Sequence, residues 1–282
     1  MAPVEPVEYL VIGHIAQDVT PYGYVLGGTA AYAALTASRL GLRVGVVTRA
    51  APDAVVLSDL SGVALHCRPA SQTTTFENVY EDGRRVQWVR AVADPLTLDD
   101  VPPAWRDASV VHLAPIAREL SPTLAQAFPQ SLVGATPQGW MRSWDGEGRV
   151  VYRPLEAPAR DLAGVDALVL SEEDVRYNEE HVRVLVEALP LVVVTLAEAG
   201  CRVYLQGRAT RFPARPATCL VDPTGAGDVF AAAFFVRFWE TDDAAEAARF
   251  ANVVASFSVE GVGTSAIPTR DQVELWRRNN GW

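Results

Sequence analysis

Val221-Asp222-Pro223-Thr224-Gly225-Ala226-Gly227-Asp228 runs without a break into Val229-Phe230-Ala231-Ala232-Ala233-Phe234-Phe235-Val236. A loop of small residues ends in a carboxylate, and an almost wholly apolar helix is predicted to begin there. Glycines let the backbone bend and let a ligand come close. The first turn of a helix carries N–H groups without internal partners, at the positive end of its dipole. Gly225, Ala226 and Gly227 can therefore turn bare N–H groups toward an anion. An acidic residue beside a bound anion calls for a reason. Asp228 is placed to take a proton from an incoming hydroxyl. The combination points to transfer of a phosphoryl group to an alcohol.

Around this loop the chain alternates short apolar runs with helical stretches. Tyr9-Leu10-Val11-Ile12-Gly13 reads as a buried strand. Residues Gly27 to Gly41 read as a Gly-Gly turn, an alanine-rich helix and a glycine stop. Arg43 to Thr48 gives a second strand, and residues 49–70 are poorly patterned. Thr73 to Tyr80 and Arg84 to Arg90 flank Glu81-Asp82-Gly83, a hairpin signal whose aromatics look exposed. Strands follow at Val110–Leu113, Leu132–Ala135, Ala167–Leu170 and Leu191–Thr195. Ser121-Pro122 is predicted to open a helix, and another is predicted from about Glu172 to Leu189. Arg202 to Gln206 and Ala209 to Phe212 make a hairpin around Gly207. Asp243-Ala244-Ala245-Glu246 reads as a capping box and Thr269 as the cap of the last helix. Such alternation predicts an α/β fold: a central, mostly parallel sheet with helices on both faces and ligands at the carboxyl ends of the strands.

Asp222 to Asp228 also resembles the D-T-x-G-A-G-D signature of the ribokinase (PfkB-type) carbohydrate kinases. Gly27-Gly28 with the helix ending Arg39-Leu40-Gly41 resembles that family's G-G-x-x-x-N and R-L-G signature. The resemblance implies a ribokinase-like fold over residues 1–282 as one domain, with a small β lid from about 16–26 and 73–91. It implies that Asp228 is the general base and that Gly225, Ala226 and Gly227 form the anion hole. Asp18, Gly27 and Gly28 would hold the acceptor. Tyr32 replaces the family's Asn, and reads either as an altered acceptor contact or as core packing. His14 stands near another family Asn and reads as a loop histidine. Gln138-Gly139-Trp140-Met141-Arg142 resembles a Q-G-x-x-R segment of inositol-kinase-like members. Arg142 then reads either as a ligand of the transferred phosphate or as a surface residue.

The nucleotide side is implied in the same way. Thr195 to Gly200 resembles a T-L-G-x-x-G nucleotide segment. Ser171, Thr195, Gly200, Asn252 and Gly263 would lie near ATP. Ser171 to Asp174 stands where the family has N-x-x-E. Glu173 and Asp174 would hold Mg²⁺ through water, or simply complement a helix dipole. Asp222 and Thr224 resemble residues that bind a monovalent cation such as K⁺.

Composition narrows the chemistry. The 282 residues carry a net charge of −10 and are 49% hydrophobic, which supports a sizeable core and argues against nucleic acid or an acidic membrane surface as main partner. There is no lysine, so all 24 basic residues are arginine. A P-loop lysine and a Schiff-base lysine are both excluded. Phosphate must be handled by backbone N–H groups, arginine and metal. Cys67, Cys201 and Cys219 lack metal-ligand spacing and read as thiols of a reducing compartment. With no signal-like start and no spanning run, a cytoplasmic protein is expected.

The expectation is an ATP- and Mg²⁺-dependent kinase of a sugar or polyol, K⁺ tuning its loop, with homodimer formation through the lid as one use of the lid aromatics. A nucleoside kinase on the same fold, and a catalytically silent nucleotide- or sugar-binding protein, are the alternatives.

Overall fold

A computed structural model describes residues 5–81 and 84–282, so the Asp82-Gly83 centre of the expected hairpin turn lies outside the described residues. In chain order the elements are β1 (Tyr9–Ile12), β2 (Ala16–Thr20), β3 (Gly23–Gly27), α1 (Thr29–Arg39), β4 (Val44–Ala50), β5 (Ala64–Pro69), β6 (Thr75–Glu81) and β7 (Arg84–Ala91). Then come β8 (Val110–Leu113), β9 (Leu132–Ala135), β10 (Arg142–Trp144), β11 (Val150–Tyr152), α2 (Pro158–Asp161), β12 (Ala167–Ser171) and α3 (Glu179–Ala188). The chain closes with β13 (Leu191–Thr195), β14 (Cys201–Leu205), β15 (Arg208–Phe212), α4 (Ala226–Thr241), α5 (Ala244–Ser258) and α6 (Arg270–Asn280).

Among the described residues the main sheet has nine strands in the order β15-β14-β13-β12-β9-β8-β1-β4-β5. It is parallel from β5 to β13, and β14 and β15 add an antiparallel edge. The strand order reverses direction between β1 and β8, so a crevice opens beyond their carboxyl ends. The strands from β4 to β13 in that order are buried on both faces, and β5, β14 and β15 are partly exposed. Tyr9 and Val11 enter one core with α1, α4, α5 and Val273 of α6, while Leu10 and Ile12 enter the other with Val182 and Leu185 of α3. A second sheet, β3-β2-β6-β7, corresponds to the expected small β layer.

Helix α4 is seated by its phenylalanines. The Phe235 ring lies where a Cβ on Gly134 of β9 would be, 2.7 Å from its ring atoms, and meets His112 of β8 edge-on at 4.9 Å. Burying each such ring contributes about 1.5–3 kcal/mol. Asp228 precedes Phe235 by two turns, or about 10 Å along the axis. The apolar run thus fixes the helix on the sheet and carries its acidic first turn past the strand ends.

Several local expectations need correction. The 49–70 stretch contains β5, a parallel edge strand paired with β4. Ser121 caps only a short 3-10 segment, Pro122–Ala127, and not an α-helix. The helix expected from Glu172 begins at Glu179 under an Asn178 cap, because Arg176 and Tyr177 both adopt φ 55° and break the turn before it. Asp243 caps α5 through the Ala245 and Glu246 N–H groups, but the Glu246 carboxylate accepts from Arg237 and Arg277 instead of closing a capping box. Phe76 is buried, whereas Tyr22 and Tyr24 are exposed. No helix among the described residues is long and apolar enough to cross a membrane.

Candidate active site

The 221–228 loop is held from both sides. Val221 and Asp222 donate their N–H groups to the Val259 carbonyl. Gly225, at φ 75° and ψ 0°, is the cap of α4. Val229 N–H donates to the Gly225 carbonyl at 2.9 Å. Ala226 N–H turns back to the Pro223 carbonyl at 3.2 Å, so it is committed to the loop and is not a free member of the expected anion hole. The Gly225 and Gly227 N–H groups have no acceptor among the described residues. Asp228 is half-buried in the first turn of α4, and the helix is fully buried from Val229 to Val236.

Tyr32 joins this loop to the other side of the crevice. A Cβ on Gly225 would lie 2.3 Å from the Tyr32 ring, which packs directly on that glycine. The phenol is 4% exposed and its pKa is pushed up by burial first, then by the charges of Asp222, Asp228 and Asp18. Three carboxylates, Asp222 and Asp228 of this loop and Asp18 of β2, therefore bear on one hydroxyl. Asp18 sits on β2, and a Cβ on Gly27 would fall 2.5 Å from its Oδ2. Gly28, at φ 88°, packs against the His14 carbonyl and the Ile116 side chain. Asp18, Gly27, Gly28, Tyr32, Gly225 and Asp228 are thus brought to one place from three parts of the sequence.

Asp222 accepts from Thr224 N–H on Oδ1 and from Gly263 N–H on Oδ2, both at 2.9 Å. Burial raises its pKa, but hydrogen bonds from the Thr224 hydroxyl and the two N–H groups outweigh it and hold the carboxyl below its usual range. Gly263, at φ 55°, is thereby fastened to the loop. Leu220, Val221 and Val262 beside this junction are exposed. Thr195 pairs with Ser171 at the carboxyl ends of β13 and β12. Gly200, at φ 93°, leaves no room for a Cβ against the Phe212 carbonyl. Asn252 is 3% exposed and its amide donates to the Phe212 and Pro213 carbonyls at 3.2 and 3.1 Å. Its amide N–H group anchors the 212–213 segment.

Arg142 donates from Nη1 to the Ile116 carbonyl at 3.1 Å and lies over the Phe76 ring at 5.4 Å. It lines a pocket of about 220 Å³ with Gln87, Arg149, Arg176, Glu173 and Asp174. Ser171 and Asp174 bond reciprocally: Ser171 N–H to Asp174 Oδ2 at 2.8 Å, and Asp174 N–H to Ser171 Oγ at 3.1 Å. Gln138 donates to Asp174 Oδ1 at 2.9 Å. Both Asp174 oxygens are therefore engaged with protein, whereas Glu173 is exposed at the same pocket. Neither stands at a helix N-terminus. Among the described residues no three His, Cys, Asp or Glu side chains gather to hold a metal ion alone.

Two residues here escaped the sequence. Glu119, 2% exposed, accepts N–H groups from His14 and Ile116 at 3.0 Å and Ala117 at 2.7 Å. It sews the loop after β1 to the loop after β8, across the reversal of strand order. His14 lies in the loop between β1 and β2, as expected, but is fully buried there and bonds to Thr74 and Asp94. Glu119 lies in no motif, and the position of His14 near a family Asn did not announce its burial or its partners.

An anion-ready helix turn opening at the carboxyl ends of a parallel sheet, opposite a second carboxylate on a small β layer, is the architecture of a small-molecule kinase. The pattern of the pfkB family carbohydrate kinases matches residues 151–270. Inositol 3-kinase from Oryza sativa subsp. japonica is 31% identical over 300 residues, covering 96% of this chain and 72% of its own. Ribokinase from Bacillus subtilis (strain 168) is 30% identical over 274 residues, covering 90% of this chain and 88% of its own. A solved pyrophosphate-dependent kinase in the ribokinase family, complexed with a pyrophosphate analog and myo-inositol, is similar at TM-score 0.79 and 25% identity, covering 95% of this chain and 99% of its own. The chain belongs to the pfkB family of carbohydrate kinases, phosphotransferases that act on hydroxyl groups.

Proposed function

We propose that the chain transfers the γ-phosphoryl group of ATP to one hydroxyl of a small polyol of the inositol kind. The observation that carries this is the convergence of Asp18 and Asp228 on the Tyr32 hydroxyl, with Gly225 packed on the same ring. A polyol seated on Asp18 and the Gly27-Gly28 turn would have a hydroxyl within reach of Asp228. Asp228 takes the hydroxyl proton as the oxygen forms its bond to the γ-phosphorus and the bond to the ADP oxygen breaks. The Gly225 and Gly227 N–H groups stabilise charge on the transferring group. Arg142 adds charge that a lysine-free chain must draw from arginine.

Glu173 and the donor phosphates would hold Mg²⁺, with the Ser171–Asp174 turn fixing the segment. When bound, Mg²⁺ neutralises phosphate charge. The ionised Asp222 and Thr224 suit a monovalent cation such as K⁺. The exposed Leu220, Val221 and Val262 offer apolar surface to an adenine face. The inositol kind is preferred over pentoses because of the rice relative and the Gln138–Arg142 segment.

A second reading changes only the donor. The arginine-lined pocket of about 220 Å³ would also suit pyrophosphate, the donor named for the similar solved kinase. Product formation from ATP and from pyrophosphate, each with Mg²⁺ and K⁺, across pentoses, hexoses, inositols and nucleosides tests both. A phosphorylated inositol formed from ATP supports the reading. Turnover only with nucleosides, or only with pyrophosphate, replaces its acceptor or its donor. ATP binding without product from any acceptor would favour a silent binding protein.

A further inference from the structure

The β6–β7 hairpin of the small sheet enters from the body just before β6 and returns to it just after β7. One buried side chain touches both roots. His14 Nε2 lies 3.0 Å from the Asp94 carbonyl, which can only accept, so Nε2 carries the proton. Nδ1 then accepts from the Thr74 hydroxyl at 2.7 Å. Thr74 Oγ1 in turn accepts from Ala93 N–H at 3.0 Å, which closes the entry and exit roots on each other. His14 is wholly buried, and so is Thr74.

The backbone of His14 looks the other way. Its N–H donates to Glu119, whose carboxylate also gathers Ile116 and Ala117. Its carbonyl abuts Gly28, where a Cβ would fall 3.0 Å away. The underside of the small sheet, Phe76 and Val89, packs on the Ile116 and Ala117 held by that carboxylate. A polar network this buried is costly to leave half-satisfied, because each orphaned donor or acceptor loses its water without gaining a partner.

We propose that His14 is a positioning residue that locks the two roots of the β6–β7 hairpin to the Gly28 turn, so that the lid and the acceptor site are held in register. The lock itself rests on hydrogen bonds; only its catalytic consequence rests on the proposed function. His14→Ala empties a fully buried site and is exposed to failure of folding, so the decisive variant is Thr74→Val. It keeps the shape, removes the donor to Nδ1 and removes the acceptor for Ala93, while Thr74→Ser keeps both.

Backbone hydrogen exchange on the ligand-free chain is read at residues 75–81 and 84–91 and compared with β1 and β8. Thr74→Val is expected to speed exchange in the small sheet about tenfold with β1 and β8 unchanged, and Thr74→Ser to match the parent. In turnover assays the acceptor KM should rise about tenfold in Thr74→Val while kcat stays within about a factor of two. Unchanged exchange in the small sheet, or an equal rise in β1 and β8, overturns the lock. If the parent chain transfers no phosphoryl group, the proposed function falls while the exchange comparison still decides the lock.

Discussion

The ring of Tyr32 rests on Gly225 so closely that a Cβ on the glycine would sit 2.3 Å from Cδ1 and Cε1. Gly225 also adopts φ 75°, so two independent constraints demand glycine there. Through this contact the α1 helix, which follows the proposed acceptor turn at Gly27-Gly28, touches the loop proposed to bind the transferring phosphoryl group.

Gly225→Ala should therefore do more harm than its size implies. The left-handed backbone costs about 1–2 kcal/mol with a Cβ, and the ring must also move. We expect kcat to fall more than about tenfold as the Gly225 and Gly227 N–H groups shift, with Tm lower by about 2–4 °C for each kcal/mol lost. Parallel measurement of kcat and Tm checks this, and unchanged values of both would contradict it.

Tyr32→Phe removes only the hydroxyl. Because burial and three carboxylates push the phenol pKa up, it remains a protonated donor at neutral pH. The acceptor KM should rise about threefold to tenfold, the weight of one hydrogen bond, with the fold intact. Steady-state kinetics beside a melting curve reads both quantities.

Asp222→Ala frees the Thr224 and Gly263 N–H groups from their common acceptor. Expected are a stability loss of about 1–3 kcal/mol, a higher KM for the donor and a lost response to K⁺. Titration of activity with KCl separates the cation effect from the loop effect. Since the folded pKa is depressed, the Asp222 contribution is present at neutral pH and is lost as pH falls through the folded value.

Stability should also fall in mild acid through His112. Burial alone lowers its pKa from 6.5 to about 3, between the Tyr9 and Thr136 hydroxyls and the Phe235 ring. Above about pH 6.5 both states hold it neutral; below that the unfolded chain binds a proton the folded chain cannot. Going from pH 6.5 to 5 should therefore cost about 2 kcal/mol. Denaturant titrations at several pH values measure the slope, and His112→Gln should flatten it.

The loop and helix at 221–236 were legible because glycine, an acidic first turn and an apolar run each act locally. The parallel sheet was legible from its short, uniformly apolar strands. The Glu119 and His14 network was not, since its partners stand 105, 80 and 60 residues apart and are mostly backbone groups. The start of α3 was hidden for a different reason: Arg176 and Tyr177 take left-handed φ that nothing in their identity announces. The bonds that Asn252 makes to the 212–213 backbone were not legible either, since those carbonyls are 39 and 40 residues away and carry no side-chain signal.

Asp228 is proposed to remove the acceptor proton. The direct measurement is product formation from ATP and the preferred acceptor by the parent chain and by Asp228→Asn, with ATP affinity measured on both. If Asp228 is the base, kcat falls about 10²-fold to 10⁴-fold, with ATP affinity within about a factor of three. Turnover by Asp228→Asn at the parent rate would contradict it.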